Sequence, residues 1–229
     1  MVSSDSTYLR KIIETDDGSH TLFVPELNEH YHSSHGALQE AEHIFIKDAL
    51  DFSLKGKKSL NVLEIGFGTG LNALLTMHYA QLKGLRVHYH ALEKYPVKAK
   101  EYSVLNYASQ MRLDETSFLD LHHANWENDV EISNGFTLRK VQVDFREMQL
   151  PAHYFDVVYF DAFGPDVQPE LWSEQVFRMI YNSMKEGGVM TTYSVKGVIR
   201  RAMKSVGFDV EKIPGPVGKR EISRAIKML

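Results

Sequence analysis

Short apolar runs alternate with amphipathic segments along most of the chain. Residues 60–65 and 87–92 are mainly apolar runs of strand length, and residues 155–160 are nearly all apolar, as in a central strand buried on both faces. A helical pattern over residues 71–82 separates the first two runs, and another helix is predicted from Pro96. Strands that alternate with helices in this way predict an α/β fold with a parallel sheet covered by helices.

The second half of the chain continues the same alternation, with one hairpin inserted. The turn sequence Asn134-Gly135 separates two strand-like runs, which predicts a hairpin whose second arm enters the sheet. The further predicted elements are helices over 115–126, 170–184 and 195–206, and strands over 129–133, 138–143, 189–193, 208–213 and 220–226. The predicted architecture is Rossmann-like, a mostly parallel seven-stranded sheet with an antiparallel last strand.

An N-terminal extension precedes the alternating region. The runs 7–13 and 21–24 flank the turn sequence Asp16-Asp17-Gly18, which predicts a small hairpin. From Ala37 to Phe52 apolar residues recur at helical spacing, so an amphipathic helix is predicted after the hairpin.

The length and composition are those of a folded globular protein. The 229 residues are 43% hydrophobic and 24% charged, which fits one main domain, residues 59–229, preceded by the extension, residues 1–58. No apolar run approaches the roughly 20 residues of a membrane span, and the first residues lack the pattern of a secretory signal, so we expect a cytoplasmic protein without membrane contact. The absence of cysteine excludes disulfides, thiolate metal sites and cysteine nucleophiles.

The first predicted strand of the main domain opens into closely spaced glycines. Gly66, Gly68 and Gly70 precede a helix, an arrangement that lets the backbone approach a polar cofactor. The dinucleotide fingerprint G-x-G-x-x-G requires a third glycine where this chain has Leu71, so a nicotinamide cofactor is not indicated. With the acidic Glu64 two residues before the glycines, the pattern resembles the first motif of class I methyltransferases, whose acidic residue helps to hold the methionine end of S-adenosylmethionine.

Two further carboxylates follow predicted strands. The resemblance implies that Glu93 accepts hydrogen bonds from two ribose hydroxyls and that Asp144 lies where the adenine amino group binds. Ligands of open α/β sheets bind at the carboxyl ends of the strands, so both acids are expected at the same crevice as Glu64. The alternative is that each acid caps a helix or a turn.

Asp161 follows the most hydrophobic predicted strand. Class I enzymes that act on nitrogen usually keep an acidic or amide side chain at this position, beside the acceptor amine. An alkyl ammonium titrates near 10 and must lose a proton before it can attack a methyl group. A carboxylate attracts the cation and can accept its proton, so Asp161 is the candidate that orients an amine, with a turn cap as the alternative.

Several motifs together resemble the methyltransferase module of the MnmC/MnmD family over nearly the whole chain. The matching segments are Glu29-His30-Tyr31-His32-Ser33, Glu40 with Phe45, Gly66-Phe67-Gly68-Thr69-Gly70-Leu71-Asn72, Asp161-Ala162-Phe163-Gly164-Pro165 with Trp172, Gly197-Val198-Ile199-Arg200-Arg201, and Gly218-Lys219-Arg220-Glu221. Members of this family methylate the amine of 5-aminomethyl-2-thiouridine at the first anticodon position of certain tRNAs. The resemblance implies a tRNA methyltransferase that uses S-adenosylmethionine.

The resemblance also implies roles for individual residues. Asp161 is the implied catalytic residue, and Tyr31 and Glu40 are expected to close the pocket over the cofactor. The predicted cofactor-binding residues are Glu64, Gly66, Phe67, Gly68, Thr69, Gly70, Asn72, Glu93, Asp144, Tyr31 and Glu40. In some bacteria the module is fused to a flavin-dependent oxidase that makes the aminomethyl substrate. This chain ends at Leu229, so we expect a free-standing enzyme supplied by a separate FAD-dependent oxidase.

Basic residues are concentrated towards the C-terminus. The segment from Lys196 onward carries a net charge of +6, which leaves −10 on the rest of a chain whose total is −4. This segment is the expected contact for tRNA phosphates, and a solvated helix face is the alternative. The predicted substrate-binding residues are Phe163, Lys196, Arg200, Arg201, Lys219 and Arg220. The anticodon loop is a suitable partner because its bases are unpaired, and the candidate stacking partners for the target base are Tyr31, Phe163 and Trp172.

A metal site and two rival functions complete the set of alternatives. The histidines of the extension, His30, His32, His35 and His43, come with neither a thiolate nor an HExxH spacing, so no metal site is expected. One rival is an aminopropyltransferase of the spermidine synthase type, whose triple-glycine loop and repeated aspartates are missing, or a small-molecule N-methyltransferase. The other is a non-catalytic RNA-binding or S-adenosylmethionine-sensing module, against which Asp161 argues.

Overall fold

The computed structural model describes residues 8–228 and contains two β-sheets. The strands are β1 (Lys11–Glu14), β2 (His20–Val24), β3 (Glu29–His30), β4 (Ser59–Ile65), β5 (Arg86–Glu93), β6 (Asp129–Ser133), β7 (Phe136–Gln142), β8 (Phe155–Phe160), β9 (Met184–Thr192), β10 (Phe208–Pro214) and β11 (Glu221–Lys227). The α-helices are α1 (Ala37–Ala41), α2 (Phe52–Leu54), α3 (Leu71–Lys83), α4 (Ala99–Tyr102), α5 (Tyr107–Gln110), α6 (Glu115–His123), α7 (Glu174–Ser183) and α8 (Gly197–Ser205). A π-helical segment, Glu42–Asp51, joins α1 to α2, and short 3-10 helices span Phe145–Glu147 and Pro169–Trp172.

The larger sheet has eight strands in the order β10-β11-β9-β8-β4-β5-β7-β6. The neighbours from β9 through β8, β4 and β5 to β7 are parallel, and β11 lies antiparallel between β9 and β10. From β4 the chain adds β5 and β7 on one side and β8 and β9 on the other. Because these strands are parallel, the carboxyl ends of β4, β5, β7 and β8 lie at the same edge of the sheet. That edge is where an open α/β sheet binds its ligand.

Alternate residues of the central strands point into two hydrophobic clusters, one on each face of the sheet. On β8, Val157 and Tyr159 belong to the cluster under α3, whereas Val158 and Phe160 belong to the cluster under α7 and α8. All four residues are fully buried. A strand that is covered on both faces needs apolar residues at successive positions, which is why β8 has a nearly continuous apolar run.

The extension packs into the same core as the main domain. Strands β1, β2 and β3 form a three-stranded antiparallel sheet, and β2 contributes Leu22 to the cluster that also contains Leu60 and Leu74. Ile44 and Phe45 of the π-helical segment are buried in this cluster too, and Phe45 packs on Tyr159. The division into residues 1–58 and 59–229 stays a prediction, and the two parts share one hydrophobic cluster.

The predicted α/β fold with its mostly parallel sheet is confirmed, and several details differ. The first arm of the predicted hairpin, β6, pairs antiparallel to β7 at the edge of the sheet and makes an eighth strand where seven were predicted. The predicted N-terminal hairpin has a third strand, β3, and the residue at which its first arm was predicted to begin, Thr7, lies outside the described residues. These differences concern pairing between segments, which local periodicity does not determine.

Some element boundaries also differ from the prediction. The helix predicted to continue to Met184 ends at Ser183, and β9 begins at Met184. The glycine pair 187–188 lies within this strand beside an irregularity in the register with β8. The predicted helix over 37–52 is present, with π-helical geometry over most of its length. Arg220, the first residue of the strand predicted over 220–226, precedes β11. Among the helices of residues 8–228, none has the length and apolar character needed to cross a membrane.

Candidate active site

A cavity of about 520 Å³ opens at the carboxyl ends of β4, β5, β7 and β8. The predicted site residues that line this cavity are Tyr31, Glu40, Gly66, Phe67, Gly68, Thr69, Asn72, Glu93, Asp144, Asp161, Phe163 and Lys219. Glu64 is fully buried directly behind the lining and contacts it through Asn72. Lys196, Arg200, Arg201 and Arg220 lie outside the cavity wall. The structure therefore brings most of the predicted cofactor residues together.

The glycine loop between β4 and α3 depends on backbone conformations that favour glycine. Gly66, Gly68 and Gly70 have φ angles of +94°, +51° and +78°. A Cβ atom on Gly66 would stand 2.8 Å from the carbonyl oxygen of Asp161, and one on Gly68 would stand 3.0 Å from the ring of Tyr31. Because these glycines have no side chains, the loop can pass close to the end of β8 and against the ring of Tyr31.

Asn72, in the first turn of α3, connects two carboxylates. Its Nδ2 atom donates one hydrogen bond to Glu64 Oε1 and another to Asp161 Oδ2, each at 2.9 Å. A primary amide has two N–H donors, so one side chain satisfies both acids. The carboxylate before the glycine loop and the carboxylate after β8 are therefore held together by one buried residue.

Burial perturbs both of these acids. Burial raises the pKa of Glu64 well above its ordinary value, against the opposing effect of the Asn72 hydrogen bond. Burial likewise raises the pKa of Asp161 to about 7; the Asn72 hydrogen bond lowers it, and the charge of Glu40 raises it. A carboxyl group with a pKa near 7 can accept or release a proton at neutral pH, which is the property required of a general base.

Glu93 and Asp144 lie on the neighbouring strand ends, and each carboxylate already has partners. Glu93 accepts hydrogen bonds from the backbone N–H groups of Gly68 and Tyr95, at 2.9 and 2.7 Å. Asp144 caps a 3-10 helix and forms ion pairs with Arg146 and Lys94, which hold its pKa well below the usual range. The predicted contacts of these acids with ribose and adenine stay predictions, and the capping alternative describes part of what Asp144 does.

The opposite side of the cavity carries an excess of negative charge. Glu40 forms an ion pair with Lys219 at 2.8 Å, and Lys219 Nζ lies 5.5 Å from the centre of the Tyr193 ring. Burial raises the pKa of Tyr193, and the nearby charges of Asp161, Glu29 and Glu40 raise it further. Three carboxyl groups therefore lie near Tyr193, and Lys219 is paired with one of them.

The aromatic candidates for base stacking have different positions. Phe163 and Tyr31 are partly exposed at the cavity and meet edge to face, with ring centres 5.0 Å apart. Trp172 is buried and donates from Nε1 to the carbonyl oxygen of Phe163 at 2.8 Å. Trp172 therefore supports the loop after β8, and burial of its ring favours a core role over the candidate role of stacking on a base.

The predicted RNA-binding residues lie in two segments: Lys196, Arg200 and Arg201 at the N-terminal end of α8, and Lys219 and Arg220 in the turn before β11. Lys196 forms an ion pair with Asp166 of the loop after β8. Arg200 is partly exposed and Arg201 is exposed, and Arg201 folds back against the backbone of Gly197. Arg220 is exposed in the turn before β11, one residue after Lys219.

Tyr193 and Glu29 are among the lining residues that sequence reasoning missed. Tyr193 directly follows the end of β9, and the signal that points to it is this strand-end position beside β8. Glu29 precedes the tyrosine of the predicted pocket closure, and it lines the cavity as well. Within residues 8–228, no group of three or more histidine, cysteine, aspartate or glutamate side chains is arranged to hold a metal ion.

Residues 89–228 match a family described as S-adenosyl-L-methionine-dependent methyltransferases. The chain belongs to this family. The predicted Rossmann-like class I methyltransferase fold and the predicted cofactor are thereby confirmed, and the methyltransferase has a cavity whose residues fit such a cofactor. Among the described residues at the glycine loop, the buried Oδ1 atom of Asn72 has no hydrogen-bond partner, and Asn72 lines the cavity. Buried polar groups are normally paired, so this atom is suited to a polar ligand.

Curated relatives of the methyltransferase carry the name tRNA 5-methylaminomethyl-2-thiouridine biosynthesis bifunctional protein MnmC. The protein from Cupriavidus metallidurans is 29% identical over 228 residues, which cover 93% of this chain and 33% of that protein. The protein from Aromatoleum aromaticum is 31% identical over 224 residues, which cover 92% of this chain and 34% of that protein. The chain spans about a third of the length of these relatives. The predicted resemblance to the MnmC methyltransferase module is confirmed.

Two solved structures share the fold. The crystal structure of MnmC2 from Aquifex aeolicus superposes with a TM-score of 0.77 at 27% sequence identity, over 96% of this chain and 71% of that chain. Spermidine synthase from Thermotoga maritima superposes with a TM-score of 0.64 at 15% identity, over 98% of this chain and 71% of that chain. At 15% identity, the likeness to spermidine synthase shows a shared fold alone.

The close approach of Gly66 to the strand end predicts that this glycine is required for cofactor binding. In Gly66→Ala the new Cβ atom would collide with backbone at Asp161, whereas in Gly84→Ala, at a φ of +62°, it would meet open space. Both variants carry the strain of a positive φ, so only the collision differs. Calorimetric titration with S-adenosylhomocysteine is expected to show affinity at least about tenfold lower for Gly66→Ala and unchanged for Gly84→Ala. Equal affinities would contradict the role of the loop.

The raised pKa of Asp161 predicts how stability varies with pH. The folded-state pKa of about 7 exceeds the value of 3.8 for an ordinary aspartate. Between about pH 4 and pH 7 the unfolded chain releases this proton while the folded chain retains it, so the wild type loses stability as the pH rises through that interval. Asp161→Asn cannot ionise and is expected to be more stable than wild type by on the order of 2 kcal/mol near pH 8, with little difference near pH 4.

Urea unfolding across that pH range tests this expectation, and Asp156 supplies a control of opposite sign. Asp156 is paired with Lys57 and Lys185, and its pKa is lowered in spite of burial. Asp156→Asn is therefore expected to be less stable than wild type above about pH 4, with the deficit shrinking as the pH falls. A stability difference between Asp161→Asn and wild type that stays constant with pH would contradict the raised pKa.

Proposed function

We propose that this methyltransferase transfers a methyl group to the amine of 5-aminomethyl-2-thiouridine at the wobble position of tRNA, which gives 5-methylaminomethyl-2-thiouridine. The observation that carries the proposal is the link from the glycine loop through Asn72 to Asp161, on the side of the cavity where carboxylates outnumber ammonium groups. The names of the bifunctional relatives support the choice of substrate. The likeness to MnmC2 over 96% of the chain supports the same choice.

The negative charge near Tyr193, where the acceptor is proposed to bind, suits an aliphatic amine. An aminomethyl group has an amine that is mostly protonated at neutral pH, so it reaches the site as a cation. Glu29, Glu40 and Asp161 each raise the pKa of Tyr193 through their charge, and Lys219 forms an ion pair with one of them, Glu40. Such a surplus of negative charge attracts the ammonium form. A neutral nucleobase without an amine substituent would not require this negative charge.

The acceptor must then lose a proton, and Asp161 is the group proposed to take it. Bound S-adenosyl-L-methionine supplies a methyl carbon that the neutral amine attacks, with the carbon–sulfur bond breaking so that its electron pair stays on sulfur. A pKa of about 7 leaves a large fraction of Asp161 ionised at neutral pH, ready to receive the proton. Asn72 keeps the carboxylate turned towards the glycine loop, which is the positioning that in-line transfer requires.

The nucleic-acid partner proposed for this site is the anticodon loop of tRNA, a substrate that fits the predicted cytoplasmic location. Lys196, Arg200, Arg201, Lys219 and Arg220 are proposed to contact phosphates next to the cavity mouth, and Phe163 is proposed to contact the base. The wobble base lies in a loop, so its removal from the stack costs less than in a duplex. A separate FAD-dependent oxidase is proposed to supply the aminomethyl group.

The proposed reaction is tested with labelled S-adenosyl-L-methionine and tRNA that carries the aminomethyl nucleoside. Wild type is expected to label the wobble uridine. Asp161→Asn is expected to lose methyl transfer by at least about a hundredfold, the lower end of what general base catalysis contributes, and to bind S-adenosylhomocysteine as wild type does. Mass analysis of nucleosides from digested tRNA identifies the product.

Other acceptors serve as controls in the same experiment. tRNA that carries the unmodified wobble uridine is expected to stay unlabelled. Transfer of an aminopropyl group from decarboxylated cofactor to putrescine, without labelling of tRNA, would favour the spermidine synthase type of reaction. Binding of cofactor and tRNA with no transfer to either acceptor would favour a non-catalytic module. Either result would contradict the proposal.

The basic surface gives a further prediction about tRNA affinity. The double variant Arg200→Ala/Arg201→Ala is expected to raise the KM for tRNA and leave the affinity for S-adenosylhomocysteine unchanged, because both side chains lie outside the cavity. If each arginine contacts one phosphate, the slope of log affinity against log salt concentration falls by about 2. Fluorescence anisotropy with labelled tRNA at several salt concentrations measures the slope.

The matched control for this prediction is Lys83→Ala/Arg86→Ala. Both residues are exposed at the end of α3 and the start of β5, at the edge of the sheet opposite the cavity. This double variant removes the same charge and is expected to leave the salt slope unchanged. An equal reduction of the slope in both double variants would mean that net charge, and not this surface, determines binding.

A further inference from the structure

Arg10 lies just before β1 in the extension, and its side chain is completely buried. All three guanidinium nitrogens have partners. Nε donates to the hydroxyl of Tyr31 at 2.9 Å, one terminal nitrogen pairs with Glu101 at 3.1 Å, and the other donates to the carbonyl oxygen of Tyr95 at 2.7 Å. A buried arginine is costly unless its charge and donors are satisfied, so this arrangement joins three separate segments of the chain.

Two of the three partners belong to the cofactor side of the cavity. The ring of Tyr31 stands against Gly68, where an added Cβ atom would come within 3.0 Å of it, and Tyr31 lines the cavity. Tyr95 also lines the cavity, and its backbone N–H donates to Glu93 Oε1 at 2.7 Å. Arg10 therefore reaches the cover of the glycine loop and the segment that holds Glu93, although it does not line the cavity itself.

The third partner balances the charge of Arg10. Glu101 is nearly buried and also accepts a hydrogen bond from the backbone N–H of Lys98, at the start of α4. An ion pair with this carboxylate compensates the burial of the guanidinium. The other two nitrogens remain free to hold the cavity wall, with hydrogen bonds that are stronger than average because the donor is charged.

We infer that Arg10 is a positioning residue for the cofactor: it fixes Tyr31 over the glycine loop and fixes the Tyr95 segment beside Glu93. The inference rests on the cofactor part of the proposed function and requires nothing of the tRNA part. It makes the extension part of the cofactor site. A polyalcohol such as ribose and a sulfonium centre bind best where the surrounding wall is already rigid, because less ordering is required on binding.

The geometry explains why the position requires arginine. The fork of the guanidinium places donors in three fixed directions, and here each direction meets a different partner. A lysine keeps the charge and can still pair with Glu101, but its single ammonium cannot reach all three acceptors in that geometry. Arg10→Lys therefore separates the positioning role from the electrostatic support of the fold.

The test is a double-mutant cycle on cofactor affinity. Arg10→Lys, Tyr31→Phe and the double variant are titrated with S-adenosylhomocysteine in a calorimeter, without tRNA. Each single change is expected to weaken binding by about threefold to tenfold, in keeping with the loss of a charge-assisted hydrogen bond. Because both changes break the same hydrogen bond, the double variant is expected to bind no more weakly than about the weaker single variant.

Thermal unfolding of the same samples distinguishes positioning from general damage. A control, Arg86→Lys, makes the same substitution at an exposed arginine away from the cavity and is expected to change neither affinity nor melting temperature. Weaker binding by Arg10→Lys at a melting temperature close to that of wild type supports the inference. Unchanged affinity in both single variants, or losses that multiply in the double variant, would overturn it. Tyr31→Phe retains a complete ring, so it gives a result even if Arg10→Lys folds poorly.

The outcome also separates this inference from the proposed function. Wild type that binds S-adenosylhomocysteine but fails to methylate tRNA would contradict the acceptor assignment and leave the role of Arg10 to be decided by the cycle alone. Wild type that binds no S-adenosylhomocysteine would overturn both. The combination of tRNA methylation and unchanged affinity in the Arg10 and Tyr31 variants would overturn only the inference about Arg10.

Discussion

The site depends on one buried amide that serves two acids, the fully buried Glu64 and the partly buried Asp161. Asn72 donates to Glu64 and to Asp161, and burial raises the pKa of both carboxyl groups. Two such groups close together in a place of low dielectric resist ionisation, and the amide provides each with a donor that needs no charge of its own. The positive charge of a lysine in this position would compensate the two carboxylates and keep them ionised. An apolar residue would leave them without a hydrogen-bond donor. The amide preserves their ability to respond to a bound cation.

The parallel sheet explains why these groups meet. Glu64 lies near the end of β4 and Asp161 directly follows β8, and these strands are neighbours in register from Val62 with Val157 to Ile65 with Phe160. Gly66 lacks a side chain, so the loop after β4 can touch the backbone of Asp161. The first turn of α3 then brings Asn72 back over both strand ends. The contacts of Asn72 with the two acids therefore depend on the close backbone approach that Gly66 allows.

The parts of the site that the sequence could predict are those that local order determines. A strand that opens into Gly66, Gly68 and Gly70, and acids that directly follow other strands, can be recognised from neighbours in the chain. The ion pair of Asp144 with Lys94 could not be predicted in this way, because Lys94 is distant in sequence. The eighth strand was not predicted for a similar reason: a hairpin signal does not tell whether its first arm reaches the sheet edge. The π-helical geometry after α1 differs from α-helical spacing too little to be detected by periodicity.

The extension shows how distant segments complete the site. Strand β3 leads into Tyr31 and α1 carries Glu40, so part of the cavity wall comes from residues that precede β4. Glu40 adds negative charge near Asp161, and Lys219 from the turn before β11 compensates it. The balance at Asp161 is therefore determined by three segments from the beginning, middle and end of the chain. A pKa near neutrality results from burial that is strong enough to raise it and from donors that limit the rise. Neither the burial of Asp161 nor its hydrogen-bond donors can be predicted from the residues next to it in the sequence.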